Sequence, residues 1–333
     1  MPKYIYLLFF LANIFFFQIS TEAQNKIDSL RQSLKAETEI ANQISLLQQI
    51  GDNFSVKEPD TAIVYYNQAI QKCNSQHLLS IKAGLLTKKG NILIKKGDDK
   101  AINILLKAND NYTRLEDTLG MAQVEKSLGI AYFYQKQFDK SLKHYTHSLT
   151  LYENVGNRAH QAKVLNNIAV LYRVDEKYDR AIDIYQQSLA LKEALKDSIG
   201  IGLTLLNLGS LYVDSEEKAL FKNYVHRAST IFKAKENEAL IAQCNLAYGR
   251  GLLEFEEWAA AKIYLEEAYA YYQNQPYQHR FEVTLNQLGR IAMHEKDFEG
   301  AVILFETGLA QNRKNGRRVM MEAHLRSLSL AKY

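Results

Sequence analysis

The 333-residue sequence predicts an all-α protein, a solenoid of about seven helix hairpins with a lead-in helix before them and a half-repeat after them. Three observations predict it. The stretch 164–191, VLNNIAVLYRVDEKYDRAIDIYQQSLAL, holds two apolar patterns of helical spacing: Leu165, Ile168, Ala169, Leu171 and Tyr172, then Ala181, Ile182, Tyr185, Ser188 and Leu189. The charged turn Val174-Asp175-Glu176-Lys177 between them makes the pair an antiparallel hairpin. That hairpin can be laid over the chain again and again at a nearly constant step, the mark of a repeat architecture. Only three prolines, 47% hydrophobic residues and a negative mean hydropathy suit a soluble, helix-rich chain.

The N-terminus differs in kind from the rest. Lys3 precedes an uncharged apolar run from Ile5 to Ile19, and Ser20-Thr21-Glu22-Ala23 follows with small residues at cleavage-site spacing. This reads as a secretory signal peptide, residues 1–23, cleaved near Ala23, with export to the periplasm. An uncleaved membrane anchor is the alternative, though the run is short for a bilayer span. No cysteine lies near the site, which disfavours a lipid anchor. From Asn25, Ile27, Leu30 and Leu34 mark the lead-in helix, with Asp28-Ser29 as its start.

The hairpins share a register. A small anchor opens it: Gly51, Gly90, Gly129, Ala169, Gly209, Gly249 and Gly289, at steps of 39, 39, 40, 40, 40 and 40. Three positions on stands a residue that is usually bulky: Phe54, Leu93, Tyr132, Tyr172, Tyr212, Leu252 and Ala292. A second small position follows at Ala62, Ala101, Ser141, Ala181, Phe221, Ala261 and Ala301. Four later comes a large apolar residue: Tyr66, Leu105, Tyr145, Tyr185, Val225, Leu265 and Phe305. Three later the residue is small again, from Ala69 to Gly308. Small residues let helix backbones approach, and a large ring fills the space beside the contact. A mid-helix glycine costs about 1 kcal/mol against alanine, so six glycine anchors imply a packing gain that offsets it. Phe221 breaks the small-residue rule, and wider packing is expected there.

These residues resemble the tetratricopeptide repeat family, most fully at Gly129-Tyr132-Ser141-Tyr145-Ser148 and in the Ala169 hairpin. The resemblance covers about Gln43 to Gly316, and the period near 40 marks the long-helix variety. It implies a right-handed solenoid whose repeats span about 43–81, 82–120, 121–160, 161–200, 201–240, 241–280 and 281–320. A partial eighth covers 321–333, and 24–333 reads as one domain because no linker interrupts it. Ser329, 40 residues after Gly289, stands at the anchor of that half-unit, which either caps the last repeat or marks a chain cut short. The signal, the lead-in helix and Pro59-Asp60-Thr61-Ala62 in the first turn are similar to exported N-terminal regions of sensor histidine kinases and helix-turn-helix regulators from Bacteroidetes-type bacteria.

Chemistry-bearing motifs are sparse. His144 and His147 lie three apart on one helix without a third ligand at suitable spacing, so no metal site is expected. Gly249-Arg250-Gly251 lacks the third glycine and the strand of a dinucleotide fingerprint. No metalloprotease, P-loop or nucleophile-elbow motif occurs, so neither an enzyme nor a cofactor is expected. A net charge of +4, evenly spread, gives no nucleic-acid signal. Cys73 and Cys244, repeats apart, read as two separate thiols rather than a disulfide. Asp28-Ser29, Asp60-Thr61, Asp117-Thr118 and Asp197-Ser198 read as helix caps, or as the O-glycosylation form that they resemble in Bacteroidetes-type exported proteins.

The resemblance implies that the first helix of each hairpin lines a concave groove. The candidate partner-binding residues there are Lys126, Asn166, Asn167, Arg173, Asn207, Arg250, Asn286, Gln287 and Arg290. Amides bond an extended peptide through donor and acceptor, and arginines favour carboxylates. The expectation is a non-catalytic scaffold for protein or extended peptide, the sensory or adaptor part of a bacterial signalling system. Its counterpart would be a membrane-bound signalling partner or an output domain. The alternative is a free periplasmic scaffold for assembling envelope complexes.

Overall fold

The computed structural model describes residues 25–332, apart from 57, 276–278 and 316–317. The predicted signal segment lies outside the described residues, as do parts of the predicted loops at Pro276 and Gly316. The lead-in helix α1 spans 25–36. Seven hairpins follow: α2 (Ile40–Phe54) with α3 (Pro59–Lys72), α4 (Leu79–Lys96) with α5 (Lys100–Arg114), and α6 (Thr118–Tyr134) with α7 (Phe138–Asn154). Next come α8 (Arg158–Val174) with α9 (Tyr178–Ala194), and α10 (Ser198–Asp214) with α11 (Lys218–Ala234). The last are α12 (Glu238–Glu254) with α13 (Trp258–Tyr272), and α14 (His279–His294) with α15 (Phe298–Asn315). The half-repeat is α16 (Arg318–Lys332). Lead-in, hairpins and half-repeat thus match the expected all-α architecture, and no strand occurs among the described residues.

The chain forms two compact units, 1–127 and 128–333. The division falls inside α6, so no linker in the sequence marks it. In the first unit α1 lays Ile27 on the core of the first hairpin, with Ile44, Leu47, Ile50 and Tyr66, and Leu30 and Leu34 flank it. Arg31 fixes that docking: its Nε donates to Tyr65 Oη at 3.1 Å and its guanidinium lies over the Phe54 ring.

In the second unit the first helices touch in succession, α8 with α10, α10 with α12, α12 with α14 and α14 with α16. One face of this unit is therefore built of first helices alone. The glycine anchors show why the register exists. A Cβ at Gly129 would lie 2.4 Å from the Tyr145 ring, and one at Gly289 would lie 2.3 Å from Phe305. The large residue of the second helix sits in the space a side chain would occupy. The second small position closes the contact: Ser141 Oγ donates to the Gly129 carbonyl at 2.7 Å.

Phe221 does not loosen its hairpin. It is fully buried, and Gly209 packs against the smaller Val225 instead of a ring. The Phe221 ring points into the next hairpin, where a Cβ on Gly251 would lie 2.3 Å from its Cζ, and it packs on Tyr248 and Phe255. The expected wider packing is corrected by a glycine one repeat on. In α16, Ala331 is buried, Leu328 packs on the α14–α15 core, and Leu325 and Ser329 are exposed.

The capping reading holds at two of the four Asp-Ser/Thr sites. Asp117 accepts from Gly120 N, and Asp197 accepts from Gly200 N, both at 2.9 Å. Asp28 and Asp60 lie inside helices and pair with Arg31 and Lys96. Cys73 and Cys244 are both buried free thiols, and burial pushes the Cys244 thiol up to about 12. No described helix is long and apolar enough to cross a membrane.

Candidate functional site: the first-helix face of residues 128–332

The face built of α8, α10, α12 and α14 carries most of the predicted residues, and the structure sorts them. Asn166 and Asn207 bond to one another across α8 and α10, Nδ2 of Asn207 donating to Oδ1 of Asn166 at 3.1 Å. Their amides tie neighbouring repeats together. Asn286 and Gln287 are buried, so neither is open to a partner as expected. Nδ2 of Asn286 donates to Ser327 on α16 at 3.3 Å, and Oε1 of Gln287 accepts from Arg290 at 2.9 Å. Lys126 is partly buried and belongs to the first unit. Asn167 is half-buried on α8, with no side-chain hydrogen bond among the described residues.

The arginines form the clearest arrangement. Arg173 on α8 reaches across to Asp214 on α10 at 3.2 Å. Arg290 on α14 reaches back to Glu254 on α12 at 3.2 Å. Arg250, on α12 between them, makes no ion pair among the described residues. Its surface is open to solvent, yet protein surrounds it on several sides. Desolvation and then the charge of Arg173 lower its pKa, with Arg290 adding to the effect and Glu254 and Asp214 opposing it. Both nearby carboxylates are engaged by other arginines. Arg250 is therefore a partly desolvated guanidinium without an ion pair of its own, on a face where three arginines stand against two carboxylates. Such a group gains most from an incoming oxyanion that accepts two parallel N–H bonds.

Asp214 and Glu254 were missed by sequence reasoning. Their signal was present: both stand five residues after an anchor, Gly209 and Gly249. The first unit shows the opposite balance on its own first helices. There Asp52 accepts from Lys88 Nζ at 2.7 Å and from Tyr66 Oη at 2.5 Å, so cation and anion cancel. Tyr185 stands where Tyr66 does in the repeat, but Val170 replaces the acceptor, and the buried Tyr185 hydroxyl has no hydrogen-bond partner among the described residues. Tyr66→Phe should therefore cost about 1 kcal/mol in the urea midpoint, while Tyr185→Phe should be neutral or slightly stabilising. Equal losses in both variants would mean the Tyr185 hydroxyl has a partner.

His144 stacks on Tyr132 with ring centroids 5.1 Å apart, which occupies one face of the imidazole. Among the described residues no group of three or more His, Cys, Asp or Glu is placed to hold a metal ion.

Comparison with known proteins bears on the fold. The family described as Soluble NSF attachment protein, SNAP, matches residues 64–216. No curated protein matches by sequence. Among solved structures, the chain is similar to a Rap protein complexed with competence and sporulation factor, at 16% identity over 93% of this chain and 86% of that one, TM-score 0.65. It is also similar to the Rap conjugation gene regulator of plasmid pLS20 in complex with the Phr* peptide, at 16% identity over 85% and 77%, TM-score 0.63. A third is a signal-transduction ATPase with numerous domains from Pyrococcus horikoshii that carries a tetratricopeptide repeat sensor. It shows 16% identity over 93% of this chain and 52% of that one, TM-score 0.54. The fold is that of the tetratricopeptide-like repeat proteins. At these identities the likeness is one of backbone, so the chemistry of the tetratricopeptide-like face has to be read from this chain's own side chains.

Proposed function

We propose that this protein is a non-catalytic scaffold whose first-helix face, on residues 128–332, binds an extended protein or peptide segment that presents carboxylates. Arg250 carries this reading: it is a partly desolvated guanidinium with both neighbouring carboxylates already engaged by Arg173 and Arg290. Asn167, whose amide is uncommitted, lies on the same face and supplies a donor and an acceptor for a peptide backbone. Two structural neighbours are described as complexes, one with the Phr* peptide and one with competence and sporulation factor, and the first supports the same class of partner. The protein works outside the cytoplasm as the sensory or adaptor part of a signalling system. The support for that is the apolar N-terminal segment with its cleavage-site spacing, and the likeness of the lead-in to exported sensor regions.

Fluorescence anisotropy with labelled decapeptides graded in acidic content tests the binding. Affinity should rise with acidic content and fall with salt. Arg250→Ala should weaken binding about ten- to hundredfold with the melting temperature nearly unchanged. Binding that ignores acidic content, or that survives Arg250→Ala intact, rejects the reading. Asn207→Ala is a poor control, because it breaks the bond to Asn166. The intact mass of the native protein in fractionated cells tests the address. A periplasmic species beginning at Gln24 supports export with cleavage, and a cytoplasmic species that retains Met1 refutes it.

A further inference from the structure

A second polar site lies at the turn ends of two adjacent hairpins. A cleft of about 580 Å³ separates the start of α7 from the turn between α8 and α9. Its volume is in the range of small-molecule sites. Phe138, Leu142, Leu171 and Tyr172 supply apolar wall, and Lys136, Lys140, Lys177 and Arg180 bring four cations to it. Two carboxylates, Asp139 and Asp175, also line it, and Lys177 already holds Asp175. Four cations against two carboxylates leave the cleft with an excess of two positive charges.

Other hairpin boundaries of the same unit are built differently. Between the fifth and sixth hairpins, Lys218 and Lys222 both reach Glu257 on the next turn. Between the sixth and seventh, Lys262 reaches Glu295 on the next turn. At those boundaries the cations of the second helix are neutralised by an acid one repeat on. In the fourth hairpin the residue 80 before Glu257 is Lys177, and the acid at the place of Glu295, Asp175, is held by that lysine of its own turn. Lys140 and Arg180 instead lie over the rings of Tyr132 and Tyr172, at 5.5 and 6.0 Å from the centroids, and neither makes an ion pair among the described residues. Rings hold these cations in place without cancelling their charge.

We infer that this cleft is a binding site for a small organic phosphate, its dianionic head among Lys136, Lys140, Lys177 and Arg180 and its apolar body against Phe138 and Tyr172. The cleft shares no lining residue with the peptide face: Asn167, Arg173, Arg250 and Arg290 are not part of it. Isothermal titration of the purified protein with phenyl phosphate, with inorganic phosphate as the head group alone, tests it. Phenyl phosphate should bind once per chain and more tightly than inorganic phosphate. Lys177→Glu installs the acid that the sixth hairpin carries at this position, and it should weaken phenyl phosphate binding about tenfold or more. Lys262→Gln, at a boundary already neutralised, should leave it unchanged. The inference is overturned if phenyl phosphate does not bind at millimolar concentration, or if inorganic phosphate binds equally well. It is also overturned if Lys177→Glu and Lys262→Gln have equal effects. Thermal melts of both variants guard against misfolding, which is not expected for the exposed Lys177 and the half-buried Lys262.

Discussion

Replacing Lys192 by methionine should raise the stability of residues 128–332 by about 2–3 kcal/mol at pH 7. Lys192 is 5% exposed, near the end of α9. The same place in four of the six other repeats holds Tyr112, Tyr152, Phe232 and Tyr272, all buried, with Cys73 and Asn312 in the remaining two. A lysine there inherits a site shaped for a ring. Its Nζ donates to Thr204 Oγ1 at 2.5 Å, and burial lowers its pKa from 10.5 to about 8 despite the opposing pull of Asp197. Methionine keeps the length and flexibility of the side chain and removes the charge. Thr204 does not become an orphan, because its hydroxyl still donates to the Gly200 carbonyl at 3.0 Å.

The pH dependence separates this cause from mere repacking. The unfolded chain keeps the proton of Lys192 up to about pH 10.5, whereas the folded chain releases it near 8. Between those values the unfolded state binds more protons, so the contribution of Lys192 to stability rises with pH through that window and is flat below it. Buried tyrosines act in the opposite sense above about pH 10, since burial raises the pKa of Tyr145 and Tyr185 and the unfolded chain ionises first. Subtracting the methionine variant's profile from that of the wild type removes the tyrosines. The gap between the two should be widest at pH 7 and narrow by about 3 kcal/mol as pH approaches 10.5. A gap that stays constant from pH 7 to 10 would show that the lysine is not charged-and-buried at neutral pH.

The Lys192 site also shows what the sequence could and could not tell. The hairpins, their seven-fold register and the lead-in helix were legible because they rest on local rules: helical spacing, turn chemistry, and a small residue where a large side chain must enter. The buried column from Tyr112 to Tyr272 repeats at the same step and was equally visible. Lys192 within it was passed over because a lysine reads as surface until its neighbours are known. The burial of two candidate-site residues was hidden in the same way. Asn286 and Gln287 occupy positions that face outward in one helix pair considered alone. In the structure α16 packs beside α14 and takes Asn286 into its contact through Ser327. Which arginine lacks a partner depends on the reach of Arg173 to Asp214, 41 residues away in sequence, and no periodicity encodes that reach.

Phe221 and Gly251 should behave as one unit in a double-mutant cycle. Phe221→Ala empties a fully buried ring site and should cost about 3–5 kcal/mol. Gly251→Ala has a helix-propensity gain of about 1 kcal/mol in its favour. In the native background its Cβ would meet Phe221 Cζ at 2.3 Å and Val213 Cγ2 at 2.9 Å. The valine methyl sits at the tip of a short side chain and can give way, but the ring is held between Tyr248 and Phe255 and cannot. The overpacking should dominate and make Gly251→Ala destabilising by about 1–2 kcal/mol. In the Phe221→Ala background the ring is gone, the new methyl enters the cavity, and the propensity gain is felt. The same substitution should then be neutral or stabilising, which gives a coupling of about 1–3 kcal/mol between residues in neighbouring hairpins. Additivity of the two single effects within about 0.5 kcal/mol would mean that the glycine serves some other contact. In that case the fifth hairpin's departure from the small-residue rule would be compensated elsewhere. A coupling of the expected size would instead establish that the repeat pattern is broken at Phe221 and repaired 30 residues later, so that adjacent hairpins specify each other's packing.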